Sequence, residues 1–219
     1  MTQTTVWWLA VSVIAFFILH SLLASVLVKQ KLEQRSPFIV KYYRLLYNLL
    51  AVVLFLPFII IMRFYSGPVL WSWAAPYSLL ADGVAVCAIL AFIWTLRGYD
   101  MLEFMGIRQL FSKDVSVYDQ GAMHISTLHR FVRHPWYTLI LIMLWTRNIH
   151  VAHLVIYSLA SLYFVIGSRL EEKKLIVYYG DAYKQYMKQV PGLIPLPGHY
   201  INKQEAQRLI ALASHKGQT

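Results

Sequence analysis

The stretch VWWLAVSVIAFFILHSLLASVLV, residues 6–28, decides the fold. It matches the length of about 20 apolar residues that a helix needs to span the hydrocarbon core of a bilayer. Lys29 and Lys31 follow it directly. The stretch is too long, and too weakly basic at its start, for a cleaved signal peptide. The sequence therefore predicts a first membrane helix here.

The composition of the whole chain also indicates a protein that lies in a lipid bilayer. Of its 219 residues, 58% are hydrophobic and 14% are charged, whereas soluble domains carry about 45–50% apolar and about 25% charged residues. An aromatic share of 15% excludes a disordered chain. The single cysteine, Cys87, excludes a disulfide framework and a cysteine-rich zinc site.

Further hydrophobic stretches predict an all-α, polytopic membrane bundle with about five membrane helices. They lie at about residues 42–65, 77–96, 135–145 and 151–167. The stretch at 135–145 is short for a full crossing, because a helix rises about 1.5 Å per residue against about 30 Å of hydrocarbon. We therefore expect the last two stretches to form a hairpin whose tip is at residues 147–150.

The basic residues divide unequally between the two sides of this arrangement. Eighteen of the 20 Lys and Arg residues fall on one side, and only Arg63 and Arg147 fall on the other. The positive-inside rule then predicts that the large polar segments and the C-terminus lie in the cytoplasm. The net charge of +10 is explained by membrane lipids, and we expect no nucleic-acid partner.

We expect a single membrane domain over residues 1–219. Its parts are a three-helix region at 1–97, a cytoplasmic segment at 98–134, a ligand-binding core at 135–198 and a tail helix at 199–219. Within the arm that follows the hairpin, Gly180-Asp181 is typical of one helix ending and an aspartate capping the next. Asn202, with Glu205 three residues later, predicts the start of the tail helix.

Arg133-His134-Pro135-Trp136-Tyr137 stands where a polar segment becomes a membrane helix. Proline is favoured at the first helical position. A helix N-terminus flanked by arginine and histidine suits a carboxylate or a phosphate. The alternative is an arginine that snorkels and a histidine that caps at the lipid headgroups.

Arg169-Leu170-Glu171-Glu172 ends the returning helix of the predicted hairpin, at the same depth as Arg133. We expect the two clusters to lie side by side. Two carboxylates beside an arginine could bind the ammonium and hydroxyl groups of a zwitterionic cofactor, while the Arg133 and His134 helix end takes its carboxylate. The alternative is a surface ladder such as Glu171 with Lys174, worth about 0.2–0.5 kcal/mol.

Other polar residues are weaker candidates. His150 and His153 have helical metal-ligand spacing, but no Cys, Asp or Glu stands near them in the sequence, so no metal site is expected. His20, inside the first hydrophobic stretch, is either a polar contact between helices or a pocket residue. Glu103 and Arg108 lie in the long polar segment, in either a lid over a pocket or an interfacial helix.

The C-terminal half resembles the core of the isoprenylcysteine carboxyl methyltransferases and related membrane methyltransferases. The resemblance covers about residues 127–197, and Tyr179 departs from it because Phe usually precedes the glycine. It rests on four spaced elements: Arg133-His134-Pro135-x-Tyr137, Arg169-x-Glu171-Glu172, Tyr179-Gly180-Asp181-x-Tyr183 and Val190-Pro191.

The N-terminal half resembles the bacterial methanethiol S-methyltransferases of that superfamily. Three blocks carry the resemblance: His20-Ser21-Leu22-Leu23-Ala24, Tyr43-Arg44-Leu45-Leu46-Tyr47-Asn48 and Leu102-Glu103-Phe104-x-Gly106-x-Arg108-Gln109. The first two blocks also resemble the NnrU family, which lacks the C-terminal elements.

The resemblance implies an enzyme of the methyltransferase class that uses S-adenosylmethionine and converts methanethiol to dimethyl sulfide. Because the family is bacterial, it also implies a place in the bacterial inner membrane. It implies that the cofactor is held by Arg133, His134, Pro135, Tyr137, Arg169, Glu171, Glu172 and Tyr183. His20, Glu103 and Arg108 are the candidates for binding or activating the thiol. The alternatives are a methyltransferase acting on isoprenylcysteine or lipid, a sterol-type reductase, and a non-catalytic membrane protein similar to NnrU.

Overall fold

A computed structural model describes residues 1–111 and 122–215. Within those ranges most residues are helical. The elements, in chain order, are α1 (Gln3–Ala24), α2 (Val26–Arg35), α3 (Pro37–Phe64), β1 (Val69–Trp71), α4 (Tyr77–Leu96), α5 (Met101–Met105), α6 (Ile107–Phe111), a 3-10 turn (Leu128–Arg130), α7 (Pro135–Trp145), β2 (Ile149–His150), α8 (Val151–Tyr179), α9 (Asp181–Gln189) and α10 (Lys203–His215).

Four helices in the described part of the chain are long and apolar enough to cross a membrane. They are α1, residues 38–64 of α3, α4 and α8. Helix α7 is apolar but has 11 residues, about half of what a crossing needs. The prediction of an all-α, polytopic membrane protein is confirmed. Of the five predicted hydrophobic stretches, four correspond to candidate membrane spans and one to the short apolar helix α7.

The first hydrophobic stretch does not form one helix through residue 28. Ser25 has an extended backbone, with ψ of 144°, and its hydroxyl oxygen accepts a hydrogen bond from the Val28 amide. Serine favours such capping positions because its side chain replaces a missing backbone partner. The polar residues that follow form the rest of α2 and the start of α3, a segment for which no helix is predicted from the sequence.

Two compact units make up the chain. The first contains Met1–Asp82, Ile93–Asp119 and Arg147–Ala160, and the second contains Gly83–Phe92, Gln120–Thr146 and Ser161–Thr219. In the first unit, α1 packs on α2 and α3. Its β1 and β2 strands form an antiparallel pair in which Val69 lies opposite His150. The predicted hairpin tip is therefore a short strand.

The second unit contains a core formed by the C-terminal arm. Helix α9 packs on α10, and Tyr183, Tyr186 and Leu209 are among the buried residues between them. Gly180, with φ of +57°, separates α8 from α9 as predicted. Asp181 does not cap α9; its carboxylate accepts a hydrogen bond from the Lys184 ammonium at 2.9 Å.

The predicted start of the tail helix is confirmed. The side-chain oxygen of Asn202 accepts a hydrogen bond from the Glu205 amide at 2.8 Å, and α10 begins at Lys203. Of the basic residues used for the orientation, Lys113 and Lys216 lie outside the described residues.

Candidate active site

The start of α7 is fixed to the segment that follows α9, within the second unit. The Arg133 amide donates to the Pro191 carbonyl at 2.8 Å, and the His134 amide donates to the Gly192 carbonyl at 3.1 Å. One turn into α7, the Thr138 hydroxyl donates to the Leu193 carbonyl at 2.6 Å. Three consecutive residues of this segment therefore lie along the helix start.

The Arg133 guanidinium joins α9 to α8. Its Nε and Nη2 atoms each lie 2.8 Å from Glu172 Oε1. Its Nη1 atom donates to the Met187 carbonyl at 3.1 Å and also to the Val190 carbonyl. Because carbonyls in the last turn of a helix lack backbone partners, Arg133 caps the C-terminus of α9 while it pairs with a carboxylate.

His134 lies between the two acids of α8. Its Nε2 atom is 3.0 Å from Glu172 Oε1, and its Nδ1 atom is 3.5 Å from Glu171 Oε2. Burial lowers the pKa of His134, but hydrogen bonds and charges from both carboxylates outweigh burial and hold the pKa above its ordinary value of 6.5. The protonated imidazole is therefore the form that this surrounding favours.

Three rings are stacked beside the acids. The rings of His134 and Tyr137 are 5.4 Å apart and nearly parallel, and those of Tyr137 and Phe164 are 4.8 Å apart. The Tyr137 hydroxyl donates to Glu171 Oε2 at 3.2 Å. The three rings form an aromatic wall next to a carboxylate.

Glu171 and Glu172 are in different environments. The Glu172 side chain is 9% exposed and pairs with both Arg133 and His134, whereas the Glu171 side chain is 47% exposed. One Glu171 oxygen accepts the Tyr137 hydroxyl, while the other has no hydrogen bond to any described residue. Glu171 is thus the acid that a ligand from outside can reach.

Tyr183 adds a hydroxyl to this region. Burial, followed by the Glu172 charge, raises the pKa of Tyr183 above its ordinary value of 10.0, so the hydroxyl stays protonated. It has no hydrogen-bond partner among residues 1–111 and 122–215. Tyr186, in contrast, donates to the His129 carbonyl at 2.5 Å. Tyr183 therefore places a protonated hydroxyl in the buried core of the arm.

His129 is a neutral neighbour of this cluster. Burial, followed by the charges of His124 and His134, lowers the pKa of His129 to about 4. Its Nδ1 atom is 2.7 Å from the Ser126 hydroxyl. At neutral pH His129 is therefore uncharged.

Most of the predicted cofactor residues come together. Arg133 and His134 contact Glu172, Pro135 begins α7, and Tyr137 contacts Glu171. Tyr183 lies in the buried core of the arm, where Glu172 raises its pKa. Arg169 does not join them, because it is exposed and in none of the ion pairs between described residues. That these residues hold a cofactor stays a prediction.

Helix α8 runs further than the sequence suggested. The predicted returning helix was at 151–167 and the charged cluster was placed at its end, but α8 continues to Tyr179. Glu171 and Glu172 lie more than one turn before that end. The continued helix is what allows α9 to fold back and bring its last carbonyls to Arg133.

The three candidates for thiol binding lie in the first unit. The His20 imidazole is 2.8 Å from the Tyr47 hydroxyl. Arg108 forms an ion pair with Asp100, whose carboxylate also caps α5. The Glu103 side chain is exposed, while its carbonyl accepts from Arg44 at 2.9 Å. These contacts do not test the predicted catalytic roles of the three residues.

Sequence reasoning missed three parts of the cluster. They are the Phe164 ring, the Thr138 hydroxyl and the backbone at Gly192. A signal existed for Phe164, because it precedes Glu171 by seven residues, which is two helical turns and places both on one face. A Cβ at Gly192 would lie 3.4 Å from Arg133 Nη2, a contact that no sequence pattern discloses.

The structure does not contradict the expectation of no metal site. Among the described residues, no group of three or more His, Cys, Asp or Glu is placed to hold an ion. His150 Nδ1 lies 2.9 Å from the Gly67 carbonyl, and His153 Nδ1 accepts from the His150 amide at 3.3 Å. Both histidines therefore make hydrogen bonds within the protein.

Together, the fold and this cluster define a polytopic helical membrane protein with a buried arginine–histidine–glutamate site and an aromatic wall. No protein-family model matches the chain. No solved structure matches it.

The chain is similar to curated proteins named methanethiol S-methyltransferase. It is 32% identical over 124 residues to the one from Crocosphaera subtropica, covering 56% of this chain and 47% of that protein. It is 38% identical over 76 residues to the one from Pseudomonas deceptionensis, covering 34% and 29%. It is 39% identical over 69 residues to methanethiol S-methyltransferase 1 of Bradyrhizobium diazoefficiens, covering 31% and 24%.

The resemblance found in the sequence motifs is confirmed by these relatives. The chain spans about half, or less, of the length of the curated relatives it matches.

Proposed function

We propose that the chain is an S-adenosylmethionine-dependent methyltransferase of the membrane that converts methanethiol to dimethyl sulfide. The names of its relatives support the activity and the acceptor. The observation that carries the proposal is the half-exposed Glu171 carboxylate, which lies next to an aromatic wall and a buried, charge-paired Glu172.

The residues of the cluster fit such a cofactor. S-adenosylmethionine supplies a methyl group on a positively charged sulfur, together with an amino acid end and ribose hydroxyls. Glu171 offers a carboxylate oxygen for an ammonium or a hydroxyl, and Tyr183 offers a protonated hydroxyl. The start of α7 has no side-chain cap, and its positive end suits a carboxylate.

Arg133 and His134 have a positioning role in this proposal. Both bind Glu172 and are themselves nearly buried, so Arg133 has its guanidinium donors directed at protein atoms. They fix the angle between α7, α8 and the end of α9. The Tyr137 ring and the Glu171 carboxylate are then held in one orientation, so a bound ligand does not have to order them.

Orientation is the main contribution that these side chains make to methyl transfer. The reaction is an in-line displacement that needs an aligned acceptor and an excluded solvent. Alignment of this kind can supply about 7–11 kcal/mol. The acceptor is a small apolar thiol that dissolves in the bilayer. His20, Glu103 and Arg108 are proposed to bind it or to assist the loss of its proton.

The experiment compares three versions of the full chain, purified in detergent. Calorimetry measures S-adenosylmethionine binding to the wild type, Glu171→Gln and Glu205→Gln, and gas chromatography measures dimethyl sulfide formed from methanethiol. We expect the Glu171 variant to bind at least about tenfold more weakly, because a charged contact to a cation is worth about 1.5–3 kcal/mol. Glu205, which contacts Gln189 and Arg208 in the arm, is the matched control and should bind normally.

Two outcomes would contradict the proposal. Equal affinity in all three versions would place the cofactor elsewhere. Normal cofactor binding without dimethyl sulfide, but with methyl transfer to an isoprenylcysteine peptide or to lipid, would replace the acceptor and leave the cofactor site intact.

The proposed orientation places the C-terminal arm, and hence the cofactor cluster, in the cytoplasm of a bacterial cell. The unequal distribution of Lys and Arg supports it. S-adenosylmethionine is a polar metabolite of the cytoplasm, so a cluster on that side has access to it.

A further inference from the structure

An apolar loop lies between α9 and α10 in the second unit. Its residues 194–200 are all exposed, and they include Ile194 at 71%, Leu196 at 50% and Tyr200 at 56% of their maximal accessible area. We call this segment the 194–200 loop. Water-soluble proteins rarely expose a contiguous run of this kind unless something covers it.

The start of the loop is attached to the apolar helix α7. The Leu193 carbonyl, directly before it, accepts the Thr138 hydroxyl at 2.6 Å. Thr138 stands in the first turn of α7, an apolar helix of 11 residues. The loop therefore starts beside the first turn of an apolar helix.

The far end of the loop is also fixed. The Ile201 amide donates to the Arg130 carbonyl, and Arg130 Nε donates back to the Ile201 carbonyl at 3.0 Å. The Tyr200 ring stacks on Phe131 at 5.8 Å. Both ends are thus anchored, and the apolar side chains between them do not fold back into the core.

Charge and residue type around the loop fit a lipid surface. Lys188 and Lys203 stand on either side of it in the chain, and His199 lies within it. Basic side chains beside exposed aliphatic and aromatic ones are typical of segments that lie at a membrane interface. Pro195 and Pro197 restrict the backbone of the loop. Little conformational entropy is therefore lost when the loop enters the membrane interface.

We propose that the 194–200 loop is immersed in the membrane interface, with Ile194 and Leu196 in the outer part of the acyl region and Tyr200 at the headgroups. Segments of this kind reach about 5–10 Å below the headgroup boundary. The partner is the lipid bilayer itself. This inference does not depend on the proposed enzymatic activity, because it concerns where the loop lies.

The test uses the full chain in lipid nanodiscs. In a Cys87→Ala background, single cysteines replace Leu196 or, as the matched control, the exposed Gln207 of α10. Each is labelled with an environment-sensitive fluorophore. We expect the label at 196 to emit at shorter wavelength than the label at 207, and to be quenched by doxyl-labelled phospholipids and not by aqueous iodide. A third variant, Ile194→Cys, should repeat the result at 196.

Two results would overturn the proposal. Quenching at 196 by iodide, as strong as at 207, would place the loop in water. Shielding at 196 from both quenchers would mean that protein covers the loop, either a second copy of the chain or another partner. Size-exclusion elution at the position of the wild type confirms that each variant is folded before it is scored.

Discussion

Glu171 and Glu172 show how one helix gives two identical side chains different tasks. Successive residues of an α-helix point about 100° apart. Glu172 therefore faces Arg133 and His134, while Glu171 turns towards Tyr137 and the outside. A buried charge is tolerated only where it is paired, which explains why two cations accompany the inner acid.

Replacement of the two acids should separate stability from binding. Glu172→Ala leaves the Arg133 guanidinium buried beside no carboxylate, and we expect a loss of about 3–5 kcal/mol of unfolding free energy. Glu171→Ala removes a half-exposed side chain, and we expect a loss below about 1 kcal/mol. Denaturant unfolding in mixed micelles measures both. Equal losses would show that the inner acid is not the structural one.

The pH dependence of stability should reveal His134. Its pKa is raised in the folded state, so the stabilisation from its protonated form is complete below the unfolded pKa of 6.5 and is lost as the pH rises through the folded pKa. We expect the melting temperature of the wild type to fall over that window and the profile of His134→Gln to be flatter.

The control for this measurement is His199→Gln, which replaces an exposed histidine of the 194–200 loop. It should keep the wild-type profile. A wild-type slope that survives in His134→Gln would assign the titration to another group.

At the scale of elements, the blocks around Tyr43 and Leu102 meet in the first unit. The Asn48 amide donates to the Phe104 and Met105 carbonyls at 3.0 and 3.2 Å, and Arg44 donates to the Glu103 carbonyl. Side chains of α3 thereby donate hydrogen bonds to three consecutive carbonyls at the end of α5. The two sequence blocks are thus joined by contacts that hold α5 on α3.

Gly106 makes this junction possible. Its φ of +88° is a left-handed conformation, and an added Cβ would lie 2.5 Å from the Leu45 amide nitrogen. We expect Gly106→Ala to destabilise the protein by about 1–3 kcal/mol or more, because a methyl group must displace backbone. Gly83→Ala is the matched control, since nothing lies within 4 Å of its added Cβ. Thermal unfolding in detergent compares them, and equal melting temperatures would contradict a close junction.

The C-terminal arm explains why the site needs more than its two membrane helices. Arg133 precedes α7, yet the carbonyls that it binds belong to the end of α9. Gly180 makes the turn that returns α9 to this position. A shift at this turn would therefore move the proposed ligand site without touching any of the side chains proposed to bind the ligand.

At the scale of the whole molecule, the proposed orientation can be tested directly. In a Cys87→Ala background, cysteines at Gln207 and at Ser72 report on opposite sides. We expect an impermeant thiol reagent to label position 207 in inverted membrane vesicles and position 72 in right-side-out vesicles. The reverse pattern would overturn the cytoplasmic assignment of the arm.

The sequence predicted the membrane class and most of the spans because hydrocarbon imposes a length and a composition on any helix that crosses it. The boundaries of α4 follow from the apolar run at 77–96. It predicted the start of α10 for a similarly local reason, since Asn202 bonds to a residue three positions away. Helix α2 was missed because its polar residues carry no apolar periodicity.

The types and spacing of the residues also identified the residues of the candidate site. They did not predict which contacts each side chain makes. The burial of Glu172 and the capping of α9 by Arg133 depend on contacts between residues that are 39 and 54 positions apart in the chain.

Local patterns therefore determined that this chain is a helical membrane protein with an arginine, a histidine and two acids in reach of one another. Only the tertiary structure decided that Glu172 is buried and charge-paired and that Glu171 is half exposed. The reason is that burial and charge pairing are properties of packed surfaces, and packing is settled by segments that are distant in the sequence.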